Sequence, residues 1–142
     1  MILDRNQIME IIPHRDPFLF VDQITSITPG HSAVGEKYVH PEEAFFEGHF
    51  PQEKVMPGVL MIEAIAQVGA VTLLAKEEFR GRLVYFAGMK SAKFRRKVLP
   101  GDTLRMEVEI SKFKARFGVG KGVAYVGEDV ACEAEFSFVL AE

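Results

Sequence analysis

Cys132 is the only cysteine in the 142 residues, so no internal disulfide can form, and this usage fits a reducing compartment. Several well-known chemistries are missing too. Gly118, Gly120 and Gly122 make a GxGxG run without the further spacing of a dinucleotide fingerprint, and Gly120-Lys121-Gly122 is no phosphate-cradling loop. There is no GxSxG elbow to carry a nucleophilic serine. His14, His31, His40 and His49 show no close metal-ligand spacing, so no metal is expected and a cofactor-free mechanism is preferred. The N-terminus, MILDRNQIMEII, lacks a basic segment leading into an apolar one, so no secretory signal is expected. The net charge of −3 gives no general pull toward nucleic acid.

What is present is an ordinary globular composition, 48% apolar and 26% charged, long enough for one domain with its own core, spanning residues 1–142. The chain is organised around Glu47–Lys76, EGHFPQEKVMPGVLMIEAIAQVGAVTLLAK. Its run from Met56 to Ala75 contains one ionisable residue, Glu63. That run is long enough to span a bilayer, but Glu63 and Gln67 lie in its middle, and its glycines and alanines give it a small, unlipid-like surface. It reads as a helix wrapped by the rest of the fold, starting near Pro57-Gly58 and stopping near Gly81.

The remaining elements follow from pattern. Leu3 to Ile12 reads as a short helix, with Asp4 and Gln7 at capping-box spacing, and Pro13 ends it. His14 to Gly30 looks extended, ending in a Pro29-Gly30 turn, and His31 to His40 is its hairpin partner. Pro41-Glu42-Glu43 has the start pattern of a small helix reaching about Phe46. Leu83 to Val98 is a strand region. Leu104, Met106, Val108 and Ile110 alternate with polar residues, and the apolar set then changes parity to Phe113, Ala115 and Phe117, which predicts a bulge near Lys112. Gly118 to Val126 is a further strand. In the last, Val130, Cys132, Ala134, Phe136, Phe138 and Leu140 share one face, which makes Cys132 a core thiol. The economical packing is α+β: a curved antiparallel β-sheet wrapped around one long central helix.

Three features carry chemistry. His49 sits in a loop crowded by Phe45, Phe46 and Phe50, surroundings that favour a neutral imidazole available as a base. Glu63 in an apolar helix is either a structural acid tied to a buried partner or a proton donor, and Gln67, one turn on, can orient it for either use. Pro57-Gly58 leaves free N–H groups at a positive helix end, where an enolate oxygen can be stabilised. Glu63 lies roughly 7–8 Å beyond that helix start, so the loop either folds His49 back onto its own helix or, in a two-fold dimer, brings it to the Glu63 of a second copy. From Arg80 to Lys97 the basic residues Arg80, Arg82, Lys90, Lys93, Arg95, Arg96 and Lys97 have no acid among them. That stretch is a docking surface for an anionic partner or a solvated strand face.

The run GHFPQEKVMPGVLMIEAIAQ closely resembles the signature of FabZ-type 3-hydroxyacyl-[acyl-carrier-protein] dehydratases, which have the hot-dog fold; PHRDPFLFVD at 13–22 and KFRRKVLPGD at 93–102 resemble two further blocks in the same order. The resemblance implies a cytoplasmic hydro-lyase of type II fatty-acid synthesis, also tied to lipid A synthesis. It implies His49 and Glu63 as a catalytic pair from different subunits, and the Gly58 N–H facing the thioester carbonyl. Phe50 would line an acyl tunnel with Gln67 beside the acid. Lys90, Lys93, Arg95, Arg96 and Lys97 would meet an acidic acyl carrier protein. Homodimers would assemble as a trimer of dimers, with no nucleic acid, membrane or metal involved. Asp16 departs from the family pattern, standing where many members have an aromatic residue. A hot-dog thioesterase and a non-catalytic acyl-carrier binding module are the alternative readings.

Overall fold

A computed structural model describes residues 3–47 and 53–142. Two α-helices, α1 (Arg5–Ile11) and α2 (Gly58–Leu74), accompany six strands: β1 (Gln23–Thr28), β2 (Ser32–Tyr38), β3 (Val84–Phe94), β4 (Thr103–Lys114), β5 (Phe117–Val126) and β6 (Asp129–Leu140). The strands form one antiparallel sheet in the order β1-β2-β4-β5-β6-β3. α2 packs against every strand, as the expected α+β architecture requires. Its core-facing Ile65, Val68 and Val71 are fully buried, each contributing about 1.5–3 kcal/mol relative to exposure. Helix and sheet come unusually close at Gly122 of β5, where a Cβ would lie 2.2 Å from Ile65 Cγ2. Among the described residues, no helix is long and apolar enough to cross a membrane.

Local signals act where expected at several points. The Asp4 carboxylate accepts from the Gln7 N–H while the Gln7 side chain accepts from the Asp4 N–H, a reciprocal capping box. The β4 bulge falls between Ile110 and Lys112. β6 buries Cys132, Ala134, Phe136, Phe138 and Leu140 on one face.

Elsewhere tertiary partners decide. Residues 14–22 are not a strand. The Phe20 N–H donates to Gln67 Oε1 at 2.8 Å and the Phe18 carbonyl accepts from Gln67 Nε2 at 2.7 Å, so backbone groups that a ladder would use belong to the helix instead. α2 ends at Leu74, not near Gly81, and at about 1.5 Å per residue is about 25 Å long. The Gly30 N–H, arriving from the β1–β2 turn, donates to the Thr72 carbonyl at 2.8 Å. Lys76 then turns extended and a short 3-10 helix, Glu77–Phe79, follows. The small helix before Glu47 is a 3-10 turn over Ala44–Phe46 only. Glu43 precedes it with non-helical backbone, ψ 136°, and its carboxylate accepts from Lys37 Nζ at 2.7 Å. Ala115 and Arg116 are not strand residues but the centre of the β4–β5 hairpin, with φ of 55° and 83°.

Candidate functional site

Glu63 and Gln67 lie one turn apart on α2, so their side chains meet. Gln67 Nε2 donates to Glu63 Oε2 at 2.7 Å as well as to the Phe18 carbonyl, and Gln67 Oε1 accepts from the Phe20 N–H. Both donors and the acceptor of the amide are therefore engaged. Gln67 itself is buried, at 1% exposure, so the group that holds the Glu63 carboxylate is immobile on two sides.

Glu63 is not sealed inside the protomer. Its side chain is 35% exposed in the protomer, and it stands on a cavity of about 250 Å³. One wall of that cavity is the α2 face bearing Glu63, Ala66 and Ala70; the other carries Phe86 of β3 with Phe136 and Phe138 of β6. The arrangement gathers the polar groups of Glu63, Gln67 and His14 beside walls of alanine and phenylalanine, which suits a substrate with a polar functional group and a hydrocarbon tail.

His14 is a site residue that sequence reasoning missed. Its Nε2 lies 3.6 Å from Glu63 Oε2, a close approach that is too long for a hydrogen bond. Its Nδ1 is buried with no hydrogen-bond partner among the described residues. The only signal was its place in PHRDPF, since the fold, not sequence spacing, brings it to α2. The loop that carries it is clamped by Arg5, which pairs with Asp16 and donates to Asp22 at 2.9 Å. Asp16 thus has a definite partner in Arg5.

The other expected residues divide. His49 and Phe50 lie outside the described residues. Gly58 is the first residue of α2, and Pro57 before it offers no side-chain cap, so the first-turn N–H groups lack a capping partner from that residue. The missing side chain of Gly58 makes room for Phe94, since a Cβ there would lie 2.7 Å from that ring. The basic stretch is largely balanced. Lys90 pairs with Glu135 at 3.5 Å, Arg95 with Glu133, Arg96 with Asp129 at 2.8 Å and with Asp102 at 4.0 Å, and Lys97 with Glu53 at 2.6 Å. Lys93 stands opposite Glu133 in the β3–β6 ladder. The acids of β6, distant in sequence, thus offset the positive field that the primary structure suggests.

Comparison with known proteins gives a consistent result. Residues 12–135 match the family model for FabA-like domains. The chain is 59% identical over 140 residues to the 3-hydroxyacyl-[acyl-carrier-protein] dehydratase FabZ of Clostridium botulinum (strain Kyoto / Type A2), covering 99% of this chain and 97% of the relative. It is 56% identical over 141 residues to the protein of that name from Bacillus licheniformis, covering 99% and 98%. Among solved structures, the dehydratase heterocomplex ApeI:P from Xenorhabdus doucetiae superposes with a TM-score of 0.81 at 16% identity, over 95% of this chain and 91% of that one. A hypothetical thioesterase with coenzyme A from Streptococcus pneumoniae TIGR4 superposes with 0.65 at 13% identity, over 83% and 84%. These structural likenesses establish the shared hot-dog fold alone.

Proposed function

The chain belongs to the family of FabA-like domains, and we propose that it is a 3-hydroxyacyl-[acyl-carrier-protein] dehydratase of fatty-acid synthesis, a hydro-lyase that converts a (3R)-3-hydroxyacyl thioester into the trans-2-enoyl thioester and water. The observation that carries the mechanism is the Glu63 carboxylate, held by a fully engaged Gln67 amide at a cavity with phenylalanine and alanine walls. In this reading His49 takes the proton from the carbon next to the thioester. The electron pair left behind delocalises onto the carbonyl oxygen, which the N–H groups at the start of α2 around Gly58 stabilise. Glu63 protonates the departing β-hydroxyl, and the double bond forms as water leaves. The acyl tail occupies the cavity beyond Glu63.

The active form is a homodimer in which His49 of one protomer faces Glu63 of the other, and dimers assemble as a trimer of dimers. Support comes from β3, an edge strand of 11 residues with exposed Tyr85, Phe86, Met89 and Phe94. Long apolar edges of this kind are templates for pairing with another chain. Acyl carrier protein docks over the basic side chains of 90–97, and the enzyme works in the cytoplasm.

The test is turnover of carrier-bound substrate by His49→Ala and Glu63→Gln, each purified as a folded oligomer. Both should lose enoyl-thioester formation, and mixing the two after subunit exchange should restore part of it. Near-normal activity in either variant would refute the assignment. Release of free thiol without enoyl absorbance would indicate a thioesterase instead.

A further inference from the structure

The GxGxG run lies inside strand β5, and its neighbours show a packing use for it. In the β5–β6 ladder Gly118 pairs with Phe138 and Gly120 with Phe136. A Cβ at Gly120 would lie 2.7 Å from Phe136 Cζ, and one at Gly118 would lie 2.3 Å from Phe138 Cζ. Both rings therefore lie down across β5 in space that any side chain would fill. On its other side the Phe136 ring meets Gly69 of α2, where a Cβ would lie 3.3 Å from Cζ. The ring spans sheet and helix between two glycines.

Phe136, Phe138 and Gly69 line the same cavity as Glu63. Gly69 is six residues beyond Glu63, or about 9 Å along the helix. The acid thus stands at one level of the cavity and the recessed rings at another. The rings have little freedom to move elsewhere: Phe138 stacks on Phe113 with centroids 6.2 Å apart, and Phe136 packs against Phe86 at 5.5 Å. A methyl group pushed under either ring displaces it toward the cavity.

We propose that Gly118 and Gly120, by letting Phe138 and Phe136 lie flat on β5, set the longest acyl chain that the site accepts. The inference rests on the dehydratase reading and adds a specificity determinant to it. Pocket walls discriminate steeply on this scale, since one methylene that no longer fits costs about 10-fold or more in kcat/KM.

The experiment measures kcat/KM for a graded series of 3-hydroxyacyl thioesters on acyl carrier protein with the unmodified protein, Gly120→Ala and Phe136→Leu. Gly120→Ala should lower the ratio of long-chain to short-chain kcat/KM by about 10-fold or more. Phe136→Leu, which shortens the ring's reach, should move the ratio the other way. If Gly120→Ala does not fold, Phe136→Leu and Phe138→Leu decide alone. A length profile in the folded variants that matches the unmodified protein would overturn the proposal. Failure of the unmodified protein to dehydrate any member of the series would instead remove the dehydratase reading, a separate outcome from an unchanged profile.

Discussion

Gln67 Nε2 and Glu63 Oε2 are 2.7 Å apart, and the same amide bridges two backbone groups of the loop around Phe18 and Phe20. The acid is thereby referenced to the loop as well as to its own helix. Replacing Gln67 with Glu keeps the shape but removes both donors. Turnover should fall by about 10- to 100-fold, less than in Glu63→Gln, because the acid remains but is no longer held. Gln67→Leu should in addition cost about 1–3 kcal/mol for each backbone group left without a partner. Steady-state kinetics and urea denaturation separate the two effects.

Lys37 is 4% exposed, pairs with Glu43 at 2.7 Å and lies 5.9 Å from the centroid of the Phe20 ring. Removing one partner of such a pair strands the other. Lys37→Ala should destabilise by about 3–5 kcal/mol, whereas Lys37→Met combined with Glu43→Leu should cost far less. A double-mutant cycle read by chemical denaturation measures the difference.

The Cys132 thiol is pushed up from 9.0 to about 11, first by burial and then by the charge of neighbouring Glu133. In the unfolded chain the thiol titrates near the lower value. Between about pH 9 and pH 11 the unfolded state therefore releases a proton that the folded state keeps, so this residue makes stability fall as pH rises through that window. The urea midpoint should drop less over the same range in Cys132→Ala. Alkylation at pH 9, followed by mass spectrometry, should be slow until the protein is unfolded.

Ala115 and Arg116 occupy the two left-handed positions of a two-residue hairpin, conformations that favour Asn and Gly. Ala115→Asn with Arg116→Gly should raise stability by about 0.5–2 kcal/mol in total. The gain should appear as a higher thermal midpoint with turnover unchanged.

Arg95 and Arg96 already hold Glu133 and Asp129. If their remaining field guides an acidic carrier protein, Arg95→Glu with Arg96→Glu should raise KM for carrier-bound substrate and leave KM for a small-thiol thioester unchanged. The effect should shrink at high salt. An equal rise for both substrates would point to a structural lesion.

What could be read in the primary structure follows how local its causes are. The Asp4–Gln7 box, the alternation along β6 and the parity change at Ile110–Lys112 are set by residues within a few positions of each other, and all three appear. The Glu63–Gln67 contact was legible for the same reason, being one helical turn. The end of α2 was not, because the bond to the Thr72 carbonyl comes from Gly30 in another element. Residues 14–22 read as a strand since nothing nearby reveals that Gln67, 47 positions after Phe20, claims their backbone. His14 reached the site through that same fold-level contact. The hairpin at Ala115-Arg116 carries none of the residues that normally announce such a turn, and the neutralisation of 90–97 depends on β6 lying beside β3.

The bond from the Gly30 N–H to the Thr72 carbonyl joins the tip of the β1–β2 hairpin to the last turn of α2. Each piece thereby satisfies a backbone group of the other. Amide hydrogen exchange should therefore report the hairpin tip and the helix terminus opening as one cooperative unit, with loosening of either exposing both to solvent at the same rate.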